Sequence, residues 1–151
     1  MPELIISDAS CLILLTKIGA LAVLQELYGT VVTTPTVAAE YRLPLPEWVK
    51  LDAAKDMHRQ QLLALQLDAG ESSAIALALE KMDCTLILDD YKARRIADQL
   101  GLSVTGTLGI LLKAKQRGIL PALKPVLERI RQTNFRLSAE LEMQVLKLAD
   151  E

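Results

Sequence analysis

Short apolar runs alternate with longer amphipathic segments along most of the chain. The short runs contain many β-branched residues, which favours strands. The longer segments carry apolar residues at helical spacing and are bounded by Ser, Thr, Asp or Gly, the residues that begin and end helices. The sequence therefore predicts strands at residues 4–6, 30–33, 84–88 and 102–105. It predicts helices at residues 10–17, 21–28, 35–42, 57–67, 70–81, 91–100, 108–116, 121–133 and from residue 138 onward.

This alternation of strands and helices is typical of an α/β fold with a central parallel sheet. The interval 43–55 is predicted to be a loop, because Pro44 and Pro46 break any helix there. We expect one domain over residues 1–151, since the length suits a single hydrophobic core. Functional groups of such sheets lie beyond the carboxyl ends of the strands.

Composition narrows the class of protein. With 51% hydrophobic residues and a net charge of −2, the chain is not disordered, and Cys11 and Cys84 are too far apart in sequence to suggest a disulfide scaffold. The 17 basic and 19 acidic residues give no global attraction for nucleic acid, so a local patch or a metal must hold any polyanion. Because the N-terminus is acidic and no apolar run is long enough to span a membrane, we expect no signal peptide and a cytoplasmic protein.

Acidic residues follow the predicted strands or lie early in the helices after them. Asp8 follows the first strand, and Asp89 and Asp90 follow the third. Glu40 lies in the helix after the second strand, and Glu71 lies in the first turn of the helix at 70–81. Because the carboxyl ends of parallel strands share one edge of the sheet, these side chains are candidates for a common site.

Carboxylates gathered beside a core repel one another, so a positive charge should offset them. Few basic residues are adjacent in sequence, and a divalent cation is the simplest candidate. Oxygen ligands suit Mg²⁺ or Mn²⁺, whereas the lone His58 and the separated cysteines cannot build a zinc site. Such an ion suits phosphodiester hydrolysis. The chain has no glycine-rich phosphate loop, so a nucleotide cofactor is not expected.

Four of these five acids also have a purely structural interpretation. Asp8, Asp89 and Asp90 can cap the helices that follow them, and the helix dipole favours Glu71 in a first turn. Glu40 has no such role, because it lies well inside its helix. The joint pattern therefore carries the functional hypothesis.

Five segments together resemble the PIN-domain nucleases. The opening LIISDAS at 4–10 is similar to the hydrophobic strand and Asp-x-Ser/Thr of that family, and TPTVAAE at 34–40 is similar to its second motif. The segment LDAGESSAIALA at 67–78 resembles the third motif, and LILDD at 86–90 with the basic residues after it resembles the fourth. The segment VTGTLGIL at 104–111 resembles a VapC-like, toxin-type subgroup, and FRLS at 135–138 is similar too.

The resemblance implies a three-layer α/β/α fold with a central parallel sheet and a Mg²⁺- or Mn²⁺-dependent endoribonuclease, often the toxin of a toxin–antitoxin pair. By position it implies Asp8, Glu40, Glu71 and Asp90 as the catalytic acids. Asp8, Glu40 and Asp90 would hold the metal, and Asp89 competes for the fourth place because the acidic pair leaves the register ambiguous. Many relatives have Asp where this chain has Glu71, so its longer side chain would reach the ion directly or through water.

Substrate contacts are predicted from residues around the acids. Ser10 would supply a hydroxyl near the metal, and Lys92, Arg94 and Arg95 would contact phosphates of an RNA substrate. The alternative for the basic residues is a solvated helix face. Tyr91 is the one aromatic residue considered for base stacking, although packing in the core or at an edge is favoured.

The helix at 57–67 is apolar in more than one direction, since it carries Leu62, Leu63, Leu65 and Leu67. Such a helix is either deeply buried or covered by a partner. We therefore expect a homodimer, and the same surface is a candidate docking site for a protein antitoxin.

One other class of protein remains as an alternative, and two more are disfavoured. A PIN-like module that binds RNA or a protein without cutting needs no active metal site. A phospho-receiver domain is disfavoured, because its acidic pair would follow the first strand and a lysine would follow a late one, where this chain has Gly106 and Thr107. A phosphatase of the Asp-x-Asp type is disfavoured by Ser10 at the second position.

Overall fold

The chain folds around one parallel sheet, in a computed structural model that describes residues 4–81 and 83–151. The strands are β1 (Leu4–Ser7), β2 (Val31–Thr33), β3 (Val49–Leu51), β4 (Cys84–Ile87) and β5 (Ser103–Thr105). The helices are α1 (Ala9–Lys17), α2 (Ala22–Tyr28), α3 (Pro35–Tyr41), α4 (Met57–Leu63), α5 (Ala69–Glu80), α6 (Tyr91–Gln99), α7 (Thr107–Gln116), α8 (Lys124–Arg131) and α9 (Ala139–Leu148). The strand order is β3-β2-β1-β4-β5, and every pairing is parallel.

Helices cover both faces of the sheet, and successive strand residues point into two different cores. Ile5 and Ile87 pack into one core with residues of α1, α2, α7, α8 and α9. Ile6, Leu86 and Leu88 pack into the other with residues of α5 and α6. Because side chains alternate along a strand, burial on both faces explains why the central strands carry consecutive apolar residues, Ile5 and Ile6 in β1 and Leu86 and Ile87 in β4. The three-layer α/β/α fold expected from the sequence is confirmed.

Three boundaries differ from the predictions. The predicted loop at 43–55 contains β3, an edge strand of 3 residues, which is too short for an alternating pattern to indicate a strand. The helix predicted at 57–67 ends at Leu63, and the one predicted at 121–133 begins at Lys124, with Pro125 in its first turn rather than Pro121.

The centre of the sheet contains a topological switch point. β1 lies between β2 and β4, so the chain leaves β1 towards one edge and later returns to its other side. Ligand sites of open α/β sheets form in the crevice at such a point, beyond the carboxyl ends of the strands. The register pairs Ser7 with Ile87, and the Asp8 N–H donates to the Ile87 carbonyl over 3.1 Å. The residues after β1 and β4 therefore meet at this crevice.

No single helix within the described ranges is long and apolar enough to cross a membrane. The α1–α2 pair passes the same test of length and composition only when taken together, across a bend of 118°. Residues 1–3, on which the expectation about a signal peptide depends, lie outside the described residues.

Candidate active site

Asp8 is a buried carboxylate at the end of β1. It caps α1, because Oδ1 accepts from the Cys11 N–H over 2.9 Å, and Oδ2 accepts from the Asp89 N–H over 3.3 Å. Asp8 is 3% exposed, and none of the ion pairs found among the described residues involves it. Burial, with a further contribution from Asp89, raises the pKa of Asp8 to about 8. The structure thus places an uncompensated carboxyl group at the switch point.

The adjacent acids after β4 have different environments. Asp89 Oδ1 accepts from the Thr107 N–H over 2.8 Å, and Oδ2 accepts from the Thr107 hydroxyl over 2.5 Å. Asp89 thereby joins the end of β4 to the start of α7. Asp90 is exposed and caps α6, with Oδ2 accepting from the Ala93 N–H over 3.0 Å. The carboxyl oxygens of Asp89 are held by α7, whereas Asp90 faces solvent.

Glu71 belongs to a capping box at the start of α5. Its N–H donates to Asp68 Oδ1 over 2.7 Å, and its own Oε1 accepts from the Asp68 N–H over 3.3 Å. Burial, the neighbouring Asp68 and, to a smaller extent, Asp90 and Glu40 together raise the pKa of Glu71 to about 7. Three other carboxylates, those of Asp68, Asp90 and Glu40, therefore contribute to the raised pKa of Glu71.

Glu40 lies in the last turn of α3 and reaches the start of α5. Its carboxylate accepts from the Gly70 N–H, and a Cβ at position 70 would lie 2.7 Å from each of its two oxygens. Glycine at position 70 thus allows the close approach of Glu40. Burial and Asp68 raise the pKa of Glu40, and the Gly70 N–H lowers it. The nearby Thr34 and Ser73 hydroxyls are 2.6 Å apart, which ties α3 to α5.

The structure brings the five predicted acids into one electrostatically coupled group. Asp8 interacts with Asp89 and Glu71, and Glu71 interacts with Asp90 and Glu40. Each carboxylate also accepts from a backbone N–H near the start of a helix or, for Glu71, at its N-cap. Asp68 was not among the predicted site residues. Its signal in the sequence was the Asp-x-x-Glu spacing of a capping box.

The group fits a hard divalent cation in donor chemistry and in charge. All donors are carboxylate oxygens. A cation would offset the burial that is the main cause of the raised pKa of Asp8 and Glu71, and also the smaller repulsion from neighbouring carboxylates. In the part of the chain that the structure describes, however, no three Asp, Glu, His or Cys side chains stand close enough to hold a metal ion. The oxygens are engaged in helix caps instead.

Basic and aromatic residues line a groove beside Asp89. Tyr91, Arg94 and Arg95 border this space of about 460 Å³, whereas Lys92 is exposed on α6 outside it. Arg94 Nη1 lies against Gly106 next to Asp89 Oδ1, so both polar groups meet at the start of α7. Tyr91 is 77% exposed, so of the two expected placements, in the core or at an edge, the core is excluded. Its position at the start of α6 directs it away from both cores.

A second groove, of about 520 Å³, lies on the other side of the acidic pair. Asp89 and Asp90 border it together with Ser10 from α1. Its remaining lining comes from Ile13, Leu14 and Lys17 of α1 and from Asn134, Phe135 and Arg136 of the segment between α8 and α9. The sequence analysis did not assign the last three residues to the site. The signal in the sequence was the aromatic Phe135 next to the basic Arg136, in a segment between two predicted helices.

The all-parallel sheet with carboxylates at its switch point makes this an α/β protein with an acidic site at the carboxyl ends of its strands. A family model described as "PIN domain" matches residues 4–151, and the chain belongs to this family. Among curated proteins, sequence comparison finds no match. PIN domains are generally nucleases and typically use divalent metals.

Proposed function

We propose that this PIN-domain protein is a Mg²⁺- or Mn²⁺-dependent endoribonuclease that hydrolyses phosphodiester bonds. The observation that carries the proposal is the buried, uncompensated Asp8 at the switch point, coupled to Asp89 and Glu71. A buried carboxylate without a counter-charge lowers the stability of the folded state, so stability does not explain why Asp8 is buried. A functional cation explains its presence.

Asp8, Glu40, Glu71 and Asp90 would hold the metal, which supplies an activated water and charge neutralisation at the phosphoryl oxygen when bound. The exposed Asp90 and the flexible Glu40 and Glu71 can turn from their helix caps towards Asp8. Asp89 positions the start of α7 through Thr107 and is the less favoured fourth ligand. Ser10 borders the same space and would bind the substrate close to the acids.

The substrate is proposed to be single-stranded RNA. The two grooves on either side of Asp89 are open channels, and the net charge of −2 leaves phosphate binding to local groups. Arg94 and Arg95 lie in one groove, and Lys92 on the exposed face of α6 extends the basic surface. These cations would position phosphates without reading sequence.

A toxin of the VapC-like subgroup is the biological role we propose, with a homodimer as the assembly and a protein antitoxin as a partner. An apolar groove of about 510 Å³ between α4, α5 and α6 supports an association surface. Leu62 of α4 lines this groove and is 67% exposed, and Leu65, in the turn that follows α4, is 80% exposed. Exposed apolar residues clustered in this way favour a protein interface.

Cleavage of a fluorogenic single-stranded RNA tests the proposal. Wild-type protein is compared in Mn²⁺ and in EDTA with Asp8→Asn, Asp90→Asn and, as a matched control, Glu128→Gln on the exposed face of α8. We expect metal-dependent cleavage by wild type and Glu128→Gln and its loss in both aspartate variants. Cleavage that persists in both variants would contradict the proposed site. RNA binding without cleavage in any sample would favour a silent binding module, an alternative supported by the absence of a closed three-acid cluster among the described residues.

A further inference from the structure

The groove on the α1 side of the acidic pair has the composition of a nucleotide site. It combines one aromatic ring (Phe135), two cations (Lys17 and Arg136) and the amide of Asn134 with the acids of the candidate active site. Its volume of about 520 Å³ lies within the roughly 300–1,000 Å³ typical of small-ligand pockets. The groove is continuous with the active site, because Asp89 and Asp90 line it directly.

The segment that carries Phe135 is held in place by local hydrogen bonds. Thr133 Oγ1 accepts from the Phe135 N–H over 3.1 Å and donates to the Ile130 carbonyl over 2.6 Å. Across the groove, Lys17 Nζ donates to Asn134 Oδ1 over 3.4 Å, which links the end of α1 to this segment. Phe135 is half-buried and packs against the core beneath it, so the ring is anchored while part of it borders the groove.

The two grooves place an aromatic and a basic group on each side of Asp89. Tyr91 and Arg94 stand on one side, and Phe135 and Arg136 stand on the other. A single strand bound with one phosphate at the acids extends in both directions from it. Its bases need apolar faces and its phosphates need cations on both sides, and these are the groups present.

We propose that Phe135 stacks against a base next to the scissile phosphate and that Lys17 and Arg136 bind the adjoining backbone of single-stranded RNA. The proposal rests on the proposed function, since it takes the acids as the cleavage point. It assigns the segment 133–138 a role in substrate binding that the acidic site does not require.

Tryptophan fluorescence tests the stacking directly and needs no cleavage. In Phe135→Trp, hexauridylate added in EDTA or in Mg²⁺ should quench the new indole, because a stacked base is within contact of it. Wild-type protein, which contains only Trp48, should show no quenching, since Trp48 lies before β3 and not in the groove. Adding Arg136→Ala to Phe135→Trp should weaken the apparent affinity, whereas adding Arg117→Ala, at the far end of α7 from the acids, should not. Absence of quenching, or equal quenching in wild type, would overturn the proposal.

Cleavage kinetics separate this proposal from the proposed function. Phe135→Leu should raise KM at least about fivefold, as expected for a lost base stack, with kcat changed less than about twofold. Phe135→Tyr, which keeps the ring, should retain the wild-type KM and guards against a folding defect in the leucine variant. If wild type cleaves and Phe135→Leu keeps both constants, the groove does not bind RNA although the nuclease function stands. If wild type does not cleave, the quenching experiment still decides whether RNA occupies the groove.

Discussion

Asp8 shows how one residue can be unfavourable for folding and valuable for chemistry. Its side chain leaves β1 at the switch point, and its two oxygens accept from the backbone N–H groups of Cys11 and Asp89. Two such bonds lower the pKa, but burial outweighs them and the pKa reaches about 8. The carboxyl group of Asp8 is therefore mostly protonated at neutral pH without a cation. A bound cation would favour its charged form.

The stability of the metal-free protein should fall as the pH rises from about 4 to about 8. The folded-state pKa of Asp8, about 8, lies above the ordinary value of 3.8, so the folded state binds more protons than the unfolded state in this window. The loss approaches about 1.4 kcal/mol per pH unit for one such group. In Asp8→Asn this dependence should flatten, because asparagine cannot titrate and still caps α1. Urea unfolding in EDTA at several pH values measures the effect.

Glu128→Gln is the control for that series and should retain the wild-type slope. Equal slopes in wild type and Asp8→Asn would mean that Asp8 is ionised already at low pH, contrary to its buried position.

At pH 8, adding Mn²⁺ should raise the melting temperature of wild type and not of Asp8→Asn, since a ligand stabilises only the state that binds it.

Changing Asp89 or Asp90 to asparagine should affect different properties, the metal-free stability for Asp89 and the stabilisation by Mn²⁺ for Asp90. Asp90→Asn should remove the Mn²⁺-dependent stabilisation and leave the metal-free melting temperature close to wild type, because Asp90 is exposed. Asp89→Asn should lower the metal-free stability, because it weakens the two hydrogen bonds to Thr107. Thr107→Val should reproduce that loss, about 1–3 kcal/mol, by leaving a carboxyl oxygen of Asp89 without its donor. Thermal melts of the three variants with and without Mn²⁺ distinguish them. The reverse pattern would make Asp89 the ligand.

At the scale of elements, α3 and α5 form one unit whose contact sets the position of Glu40. Gly70→Ala should disturb this contact, since the new Cβ would lie 2.7 Å from both Glu40 oxygens. Glu40 is the flexible partner, so it should move and the fold should tolerate the change. We expect a melting temperature near wild type and a clear loss of Mn²⁺-dependent cleavage. The double variant Gly70→Ala with Glu40→Gln tests the cause, because two changes that act through one group are not additive. An additive loss would show that Gly70 acts otherwise.

The elements that the sequence predicted are those with strong local signals. β1 and β4 contain consecutive apolar residues that pack on opposite faces of the sheet, and α5 begins with a capping box. β3 was missed because it is held by pairing with β2 at the sheet edge rather than by its own pattern. The Phe135 groove was missed for a related reason. It depends on the meeting of Lys17 and Asn134, residues far apart in sequence, which no local pattern records.

The acids of the site were predictable by position, because a residue that follows a buried parallel strand must lie at the carboxyl edge of the sheet. Their individual environments were not. Asp89 and Asp90 are equivalent in sequence, and only the start of α7 at Thr107, brought alongside by β5, separates them. The exposure of Tyr91 likewise depends on the direction in which α6 leaves the sheet.

For the whole molecule, the two grooves at the acids and the apolar groove between α4, α5 and α6 are separate parts of the surface. The apolar groove is lined by Leu63, Leu79 and Ile96, with Leu62 and Leu100 exposed at its border. Leu65 on the same helical segment is more exposed still. A second copy of the chain that covers this surface would remove several large apolar side chains from water, each worth about 1.5–3 kcal/mol when fully buried.

Oligomeric state is the property that this surface should control. We expect wild type to sediment as a dimer at micromolar concentration and Leu62→Lys with Leu65→Lys to sediment as a monomer, because a buried lysine in an apolar interface is unpaired. A matched pair on α9, Met143→Lys with Leu148→Lys, replaces equally exposed apolar residues elsewhere and should remain dimeric. Analytical ultracentrifugation of the three proteins decides between them. Dissociation by the α9 pair alone would move the interface to α9. A monomeric wild type would mean that a different protein covers this surface. An antitoxin is the candidate partner. Co-purification of a co-expressed antitoxin with wild type and with the Leu62→Lys, Leu65→Lys variant would test it.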